Sequence, residues 1–342
     1  LKDIVLSIDA MGGDHGPSVT IPAAFNLLAR QSNVKLILVG DQEILNAKIA
    51  IYDARLKKRV TIKHASEQVL MDESPSKALR NKKDSSMRVA INLVKDKIAE
   101  ACVSAGNTGA LMATARFVLK TLPGIDRPAI TTLFPTIISN KSTYILDLGA
   151  NVDSSSNYLY QIAIMGSVLA SLTDNIKRPK VALLNIGSED NKGNQQIKEA
   201  AQILSESKHI NYVGFVEGDD IFKGKVDVIV CDGFIGNVML KSIEGVLKLV
   251  AFYAKKNMMH NIFTKILALL ALPILKKMYK DINPGKYNGA TFIGLRGVVI
   301  KSHGGADIAA FTHALEKAVV EARRQIPQKI SDELTKILQS DT

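Results

Sequence analysis

Hydrophobic positions in this chain follow two alternating patterns. Short β-branched or otherwise apolar runs at residues 3–9, 34–39, 101–103, 144–148, 181–185, 212–215 and 226–230 read as strands, with helical spacing of apolar residues between them. That alternation implies βαβ units and a largely parallel sheet covered by helices. No short repeat, low-complexity tract or Pro/Gly/Ser-rich linker divides the chain. With 342 residues and 46% hydrophobic content it can bury a substantial core, so one large α/β unit or two intimately joined lobes is expected.

One segment departs from this rhythm. Across residues 245–280, Met258, Met259, Ile262, Phe263, Ile266, Leu267, Leu270 and Ile274 recur at helical spacing, forming a wide apolar stripe. The apolar stretch 266–275 is well short of the roughly 20 residues that span a bilayer, and Pro273 is expected to kink or end the helix. Lys255, Lys256, Lys265, Lys276, Lys277 and Lys280 bracket the stripe. This layout suits a hairpin lying on an anionic membrane surface, with Ile262, Phe263, Ile266, Leu267 and Leu270 as lipid contacts. It equally suits a core or dimer-contact helix with snorkelling lysines.

Charge sharpens the picture locally. The net charge is +11, and residues 246–286 hold eight lysines against one aspartate. Tryptophan is absent and Tyr and Phe are not clustered, so nucleic acid is not an expected partner. Cys102 and Cys231 lie far apart behind apolar runs, which predicts buried thiols in a reducing compartment. The N-terminal apolar run follows an acidic residue and ends in Asp9, unlike a secretory signal, so a cytoplasmic location is expected.

Most strands run into glycine-bearing loops, and these carry the candidate chemistry. The first, Gly12-Gly13-Asp14-His15-Gly16-Pro17, places an imidazole in a loop whose amides can approach an anion, with Ser18 and Thr20 expected to open a helix towards the same spot. Others follow at residues 104–109, 149–153, 187–194, 232–237 and 302–307. In open α/β sheets the carboxyl ends of strands form the ligand crevice, so convergence of these loops is expected. Each also serves sterically as a turn. Lys192, among Glu189, Asp190 and Asn191, reads as a salt-bridged lysine or an electrophilic clamp. Asn237 reads as a helix N-cap or as an amide that polarises a carbonyl. His15 and His303, both in glycine loops, rank above the other histidines. No metal-ligand spacing, GxSxG elbow, Walker A sequence or GxGxxG fingerprint is present, and no cofactor or metal is expected.

Taken together, five motifs resemble the bacterial phosphate acyltransferase family, and the match runs nearly end to end. They are Asp9-Ala10-Met11-Gly12-Gly13-Asp14-His15, residues 104–110, residues 146–153, Cys231-Asp232-Gly233-Phe234-Ile235-Gly236-Asn237, and residues 294–297 through Lys301-Ser302-His303-Gly304. The resemblance implies a three-layer α/β/α fold over residues 1–342, like phosphotransacetylases and isopropylmalate dehydrogenases, with the hairpin at 245–286 protruding for membrane, acyl-chain and dimer contact. It implies a homodimer on the cytoplasmic membrane face that makes acyl phosphate from long-chain acyl-acyl carrier protein and inorganic phosphate. The product would pass to a membrane acyl-phosphate:glycerol-3-phosphate acyltransferase. Carried over by position, the family's catalytic residues fall on His15, Lys192 and Asn237. Gly12, Gly13, Ser104, Asn107, Thr108, Asn151, Gly236, His303 and Gly304 are expected to line the phosphate and substrate site. An acidic carrier needs a basic docking patch, supplied by Arg80, Lys82, Lys83 and Arg88 or by the lysines after Val246. The rival readings are a phosphotransacetylase acting on short acyl-CoA, a metal-dependent decarboxylating dehydrogenase of similar fold, and a non-catalytic membrane scaffold.

Overall fold

A computed structural model describes residues 3–282 and 288–340, with the side chains of 276–282 and 338–340 outside that description. Eleven strands are present in the described residues: β1 (Ile4–Asp9), β2 (Val34–Gly40), β3 (Val60–His64), β4 (Ala101–Ser104), β5 (Ala129–Pro135), β6 (Ser142–Leu146), β7 (Lys180–Leu184), β8 (Asn211–Val216), β9 (Val228–Val230), β10 (Ala290–Ile293) and β11 (Val298–Lys301). The helices are α1 (Pro17–Arg30), α2 (Gln42–Ile49), α3 (Ala54–Lys57), α4 (Pro75–Asn81), α5 (Ser86–Lys95), α6 (Thr108–Leu119), α7 (Ser156–Asp174), α8 (Gln195–Glu206), α9 (Gly233–Met258), α10 (Ile262–Ile282), α11 (Ile308–Arg323) and α12 (Ile326–Ser340).

All eleven strands join one sheet in the order β3-β2-β1-β4-β11-β10-β5-β6-β9-β7-β8. Two parallel blocks, β3-β2-β1-β4-β11 and β6-β9-β7-β8, meet through β10 and β5, whose three pairings are antiparallel. The two blocks consequently run in opposite senses. The runs read from sequence omit β3, β5, β10 and β11. Of these, β3 is a half-exposed edge strand rich in polar residues, and β10 and β11 are only four residues long, too short for a period to show.

Alternating strand residues separate the core into layers. On one face α1 and α11 cover the first block, with Leu27, Phe311 and Leu315 packed on Leu6, Ile8 and Ile300. The same face of the second block is covered by α7, α8 and α12, through residues such as Leu159, Leu204 and Ile330. The opposite face carries a core that spans both blocks, from Cys102 and Val299 through Phe292 and Ile145 to Ile229, covered by α5 and α6 and flanked by Met239, Leu240 and Ile243 of α9. Both cysteines are free and buried.

The segment with the wide apolar stripe forms two helices joined at Met259-His260-Asn261. Pro273 does not end α10, which continues to Ile282. Proline removes one backbone bond, and on an exposed helix the carbonyl it frees is solvated. Ile262, Phe263, Ile266, Leu267 and Leu270 are all exposed, at 75%, 67%, 52%, 49% and 73%. Lys276, Lys277, Lys280 and the end of the expected hairpin at 283–286 lie outside the described side chains or residues. No described helix is long and apolar enough to cross a membrane.

Phe311, fully buried between α1 and the sheet, has no room to be replaced by solvent. Phe311→Ala is expected to cost about 3–5 kcal/mol. Urea unfolding monitored by circular dichroism checks this as a lower transition midpoint.

Candidate active site

Beneath the first glycine loop lies the carboxylate that ends β1. Asp9 is fully buried and accepts hydrogen bonds from Ser86 Oγ and Ser104 Oγ, each at 2.6 Å, and from the backbone of Met11 and Gly12. Burial pushes its carboxyl above the usual range, and these donors pull it back. Its position also explains Gly12: a Cβ there would sit 2.4 Å from Asp9 Oδ2 and 2.9 Å from Gly106 N. Gly13, at φ +89°, lies against Ala105 and the Gly304 carbonyl, and the Asp14 N–H donates to Gly304 O at 3.0 Å. Three strand-end loops, after β1, β4 and β11, thus pack into one cradle.

His15 and His303 are exposed on this cradle. The Gly305 N–H donates to His303 Nδ1 at 3.1 Å, so the neutral ring carries its proton on Nε2. Asn288 anchors the loop by accepting from the His303 N–H at 3.0 Å and donating to Ser302 Oγ at 2.8 Å.

Several residues expected at the ligand are committed to the scaffold. Ser104 is buried between Asp9 and the Gly106 N–H, which donates to its Oγ at 3.0 Å. Asn107 caps α6 through Oδ1 and donates through Nδ2 to the Met71 and Glu73 carbonyls at 2.7 and 3.0 Å. Thr108, the first residue of α6, remains exposed. At α1, Gly16 is the cap, and the amides of Ser18, Val19 and Thr20 bond back to His15 and Gly16 carbonyls. Thr20 Oγ1 donates to Ala10 O at 2.8 Å, so neither Ser18 nor Thr20 caps the helix.

A second group repeats the device at the end of β6. Asp147, fully buried, accepts from the backbone N–H groups of Ile130, Ala150 and Asn151 at 3.1, 2.9 and 3.0 Å, and from Asn151 Nδ2 at 2.8 Å. Asn151 Nδ2 also approaches Pro128 O and Tyr158 OH, which makes this expected ligand contact a structural tie. Here α9 docks very closely. A Cβ on Gly236 would stand 1.8 Å from Asp147 O, and one on Gly233 would stand 2.4 Å from Asn151 O. Asp232, not Asn237, caps α9 by accepting from the Ile235 N–H at 3.0 Å. Asn237 falls in the second turn, exposed, its side chain against Gly149, where φ is +113°.

Lys192 lies in the loop between β7 and α8. Its backbone is tied to Glu189 O at 3.0 Å and to Asn185 Nδ2 at 3.3 Å. Its side chain is exposed and, among the described residues, makes no ion pair, unlike the salt-bridged lysine allowed from sequence. Gln196 Nε2 donates to Ser154 O and so joins α8 to the loop after β6.

The strand-end loops therefore form two groups, because the blocks run oppositely. Gly12, Gly13, His15, Thr108, His303 and Gly304 belong to the first, and Asn151, Lys192, Gly236 and Asn237 to the second. α9 reaches from one to the other: Lys241, one turn beyond Asn237 on the same helix face, acts electrostatically on Lys301 at the end of β11. Sequence reasoning placed Asp9, Asp147 and Lys301 within motifs without assigning them a part in building the site, and passed over Asn288. For the two aspartates a signal exists, an acid at the end of an apolar run just before a glycine. A cavity of about 290 Å³ lined by Asp126, Arg127, Asp153, Ser155 and Tyr158 opens beside the Asp147 loop. It includes none of His15, Lys192 or Asn237.

The model of a family described as fatty acid synthesis protein matches residues 4–329. A phosphate acyltransferase of Nitrosococcus oceani is 62% identical over 331 residues, covering 97% of this chain and 96% of its own length. The chain belongs to the phosphate acyltransferase family. Another phosphate acyltransferase, from Coxiella burnetii, is 54% identical over 334 residues and 97% of each chain. Among solved structures, a phosphotransacetylase from Streptococcus pyogenes is similar with TM-score 0.62 at 17% identity over 94% of both chains. A branched-chain phosphotransacylase from Enterococcus faecalis gives 0.58 at 12% identity, covering 93% of this chain and 99% of its own. At such identities the likeness concerns the fold, a mixed α/β architecture around a large, mostly parallel sheet.

For this member of the phosphate acyltransferase family, Gly236→Ala is expected to displace the first turns of α9 and carry Asn237 with them. Activity should fall by more than tenfold with a lowered melting temperature, both measured on the purified variant.

Proposed function

We propose that the protein transfers a long-chain acyl group from an acyl carrier protein thioester to inorganic phosphate, yielding acyl phosphate. The observation that carries this reading is the pair Lys192 and Asn237, exposed polar side chains without other partners among the described residues, held beyond the ends of neighbouring parallel strands by the β7–α8 loop and the second turn of α9. A phosphate oxygen attacks the thioester carbonyl carbon, the new C–O bond forms, and the carbonyl oxygen takes the negative charge. Collapse of that intermediate breaks the C–S bond, and the departing thiolate gains a proton. Lys192 ammonium and Asn237 amide stabilise the oxyanion, each donor contributing about 3 kcal/mol. His15 orients phosphate or protonates the thiolate. Neither cysteine is needed as a nucleophile. Burial pushes both thiols far up, which suits single displacement.

The exposed apolar face of α9 and α10 supports contact with an anionic membrane surface and with a second copy of the chain as a homodimer. Lys255, Lys256 and Lys265 are exposed beside it. On this reading the protein works at the cytoplasmic face of the membrane, where an amphiphilic acyl phosphate passes to an acyl-phosphate:glycerol-3-phosphate acyltransferase. For carrier docking, the hairpin lysines are favoured over the earlier basic cluster. There, Lys82 pairs with Glu73 at 2.7 Å and Arg88 lies 5.1 Å from the centre of the Phe117 ring. A phosphotransacetylase acting on short acyl-CoA would have no use for the hairpin, and a scaffold none for the two loop groups.

Phosphate-dependent thiol release is expected from long-chain acyl-acyl carrier protein and not from acetyl-CoA; the reverse preference would overturn the long-chain assignment. Lys192→Ala and Asn237→Ala should each lower kcat by roughly 100-fold at unchanged melting temperature, consistent with about 3 kcal/mol per donor. Wild-type turnover in either folded variant would remove that residue from the mechanism. Replacing Ile266 and Leu270 together by Glu should abolish co-sedimentation with anionic vesicles, whereas unchanged binding would rule out lipid contact through α10.

A further inference from the structure

Lys301 ends β11 on the sheet face that also carries Asp9 and Ser104. The strand register pairs Asp9 with Ser104 and Ser104 with Lys301, so the three stand in one row across adjacent strands β1, β4 and β11. Lys301 is only 8% exposed. Its ammonium donates to the carbonyl oxygen of Ala105 at 3.3 Å and to that of Ser302, which belong to two of the three loops of the cradle. Among the described residues no carboxylate forms an ion pair with it. Asp14 and Asp9 attract it from farther away, and Lys241 repels it.

A buried cation without an adjacent counter-ion is expensive, and a neighbouring lysine increases that cost. An anion bound in the cradle above would offset it. The two carbonyls matter as much as the charge, because a carbonyl oxygen turned towards an anion repels it. We infer that Lys301 is a positioning residue of the phosphate site, drawing the Ala105 and Ser302 carbonyls beneath the cradle and supplying the positive potential to which inorganic phosphate binds. This inference rests on the phosphate-transfer reading above.

Burial lowers the pKa of Lys301 to about 8. The charged groups facing it are Asp9 from β1, Asp14 from the following loop and Lys241 from α9; the first two raise its pKa and the third lowers it. A phosphate dianion nearby would raise it further, so phosphate binds the protonated form more tightly. Affinity for the dianion is therefore highest while Lys301 is protonated and falls as the pH rises through about 8, by up to about tenfold per unit.

The test is phosphate affinity and phosphate KM between pH 7 and 9.5 for the wild type, Lys301→Met and Lys301→Arg, with thioester KM measured alongside. In the wild type phosphate KM is expected to rise above pH 8. Lys301→Met should raise it at least tenfold at pH 7.5, abolish the rise, and leave thioester KM unchanged. Lys301→Arg, charged throughout, should restore binding and also lack the rise. A folded Lys301→Met protein with wild-type phosphate KM overturns the inference, as does persistence of the rise. Should the methionine variant fail to fold, a rise retained in the arginine variant overturns it equally. Absence of phosphate-dependent thiol release in the wild type would instead overturn the acyl-transfer reading. Titration calorimetry with inorganic phosphate alone still decides the role of Lys301 in that case.

Discussion

The desolvated carboxylate of Asp9 is the constraint on which the cradle depends. A buried carboxylate must be satisfied by donors, and every donor it finds is part of something that has to be held: Ser86 at the start of α5, Ser104 at the end of β4, and the backbone of Met11 and Gly12. Satisfying one charge thereby fixes the spacing of three elements. It also dictates glycine at position 12, where the oxygen leaves no space for a Cβ. The glycine loop is shaped from below, by buried groups that hold its backbone.

The same solution appears at the end of β6. Asp147 gathers four N–H donors from the chain around it, and its own carbonyl excludes any side chain at Gly236. That close docking sets the origin of α9, and with it the place of Asn237 in the second turn. The helix then runs on as an exposed apolar arm. One element thus carries the amide proposed for oxyanion stabilisation at one end and the surface proposed for lipid at the other. Rigid continuity of a helix is the simplest physical route by which contact at the arm would be felt at the site, since a tilt of α9 moves Asn237 against Gly149.

Electrostatics separates the two groups and also relates them. The first group stands over Lys301, a cation with no paired carboxylate among the described residues, whereas the second presents the Lys192 side chain from a loop tied down through the Lys192 backbone. Lys241 lies on the connecting helix, pairs with Glu244 at 2.9 Å and repels Lys301.

Much of this was legible in the chain. Alternation of apolar runs with helical periodicity specifies an α/β protein, because the period of 2 or 3.6 is written in adjacent residues. Glycine at strand ends marks the loops, and the lysine-bracketed stripe marks the exposed arm. Roles within the loops were less accessible: Ser104, Asn107 and Asn151 have the chemistry of ligand contacts, and only burial and hydrogen-bond partners reveal that they also hold the scaffold. Capping of α9 by Asp232 instead of Asn237 likewise depends on where the chain turns, since both residues are competent caps. Local sequence determined the elements and the residue types available for chemistry. The tertiary structure alone decided that the two parallel blocks run oppositely, divide the loops into two groups and leave a lysine buried beneath the first, because strand order and desolvation arise from contacts between residues remote in the chain.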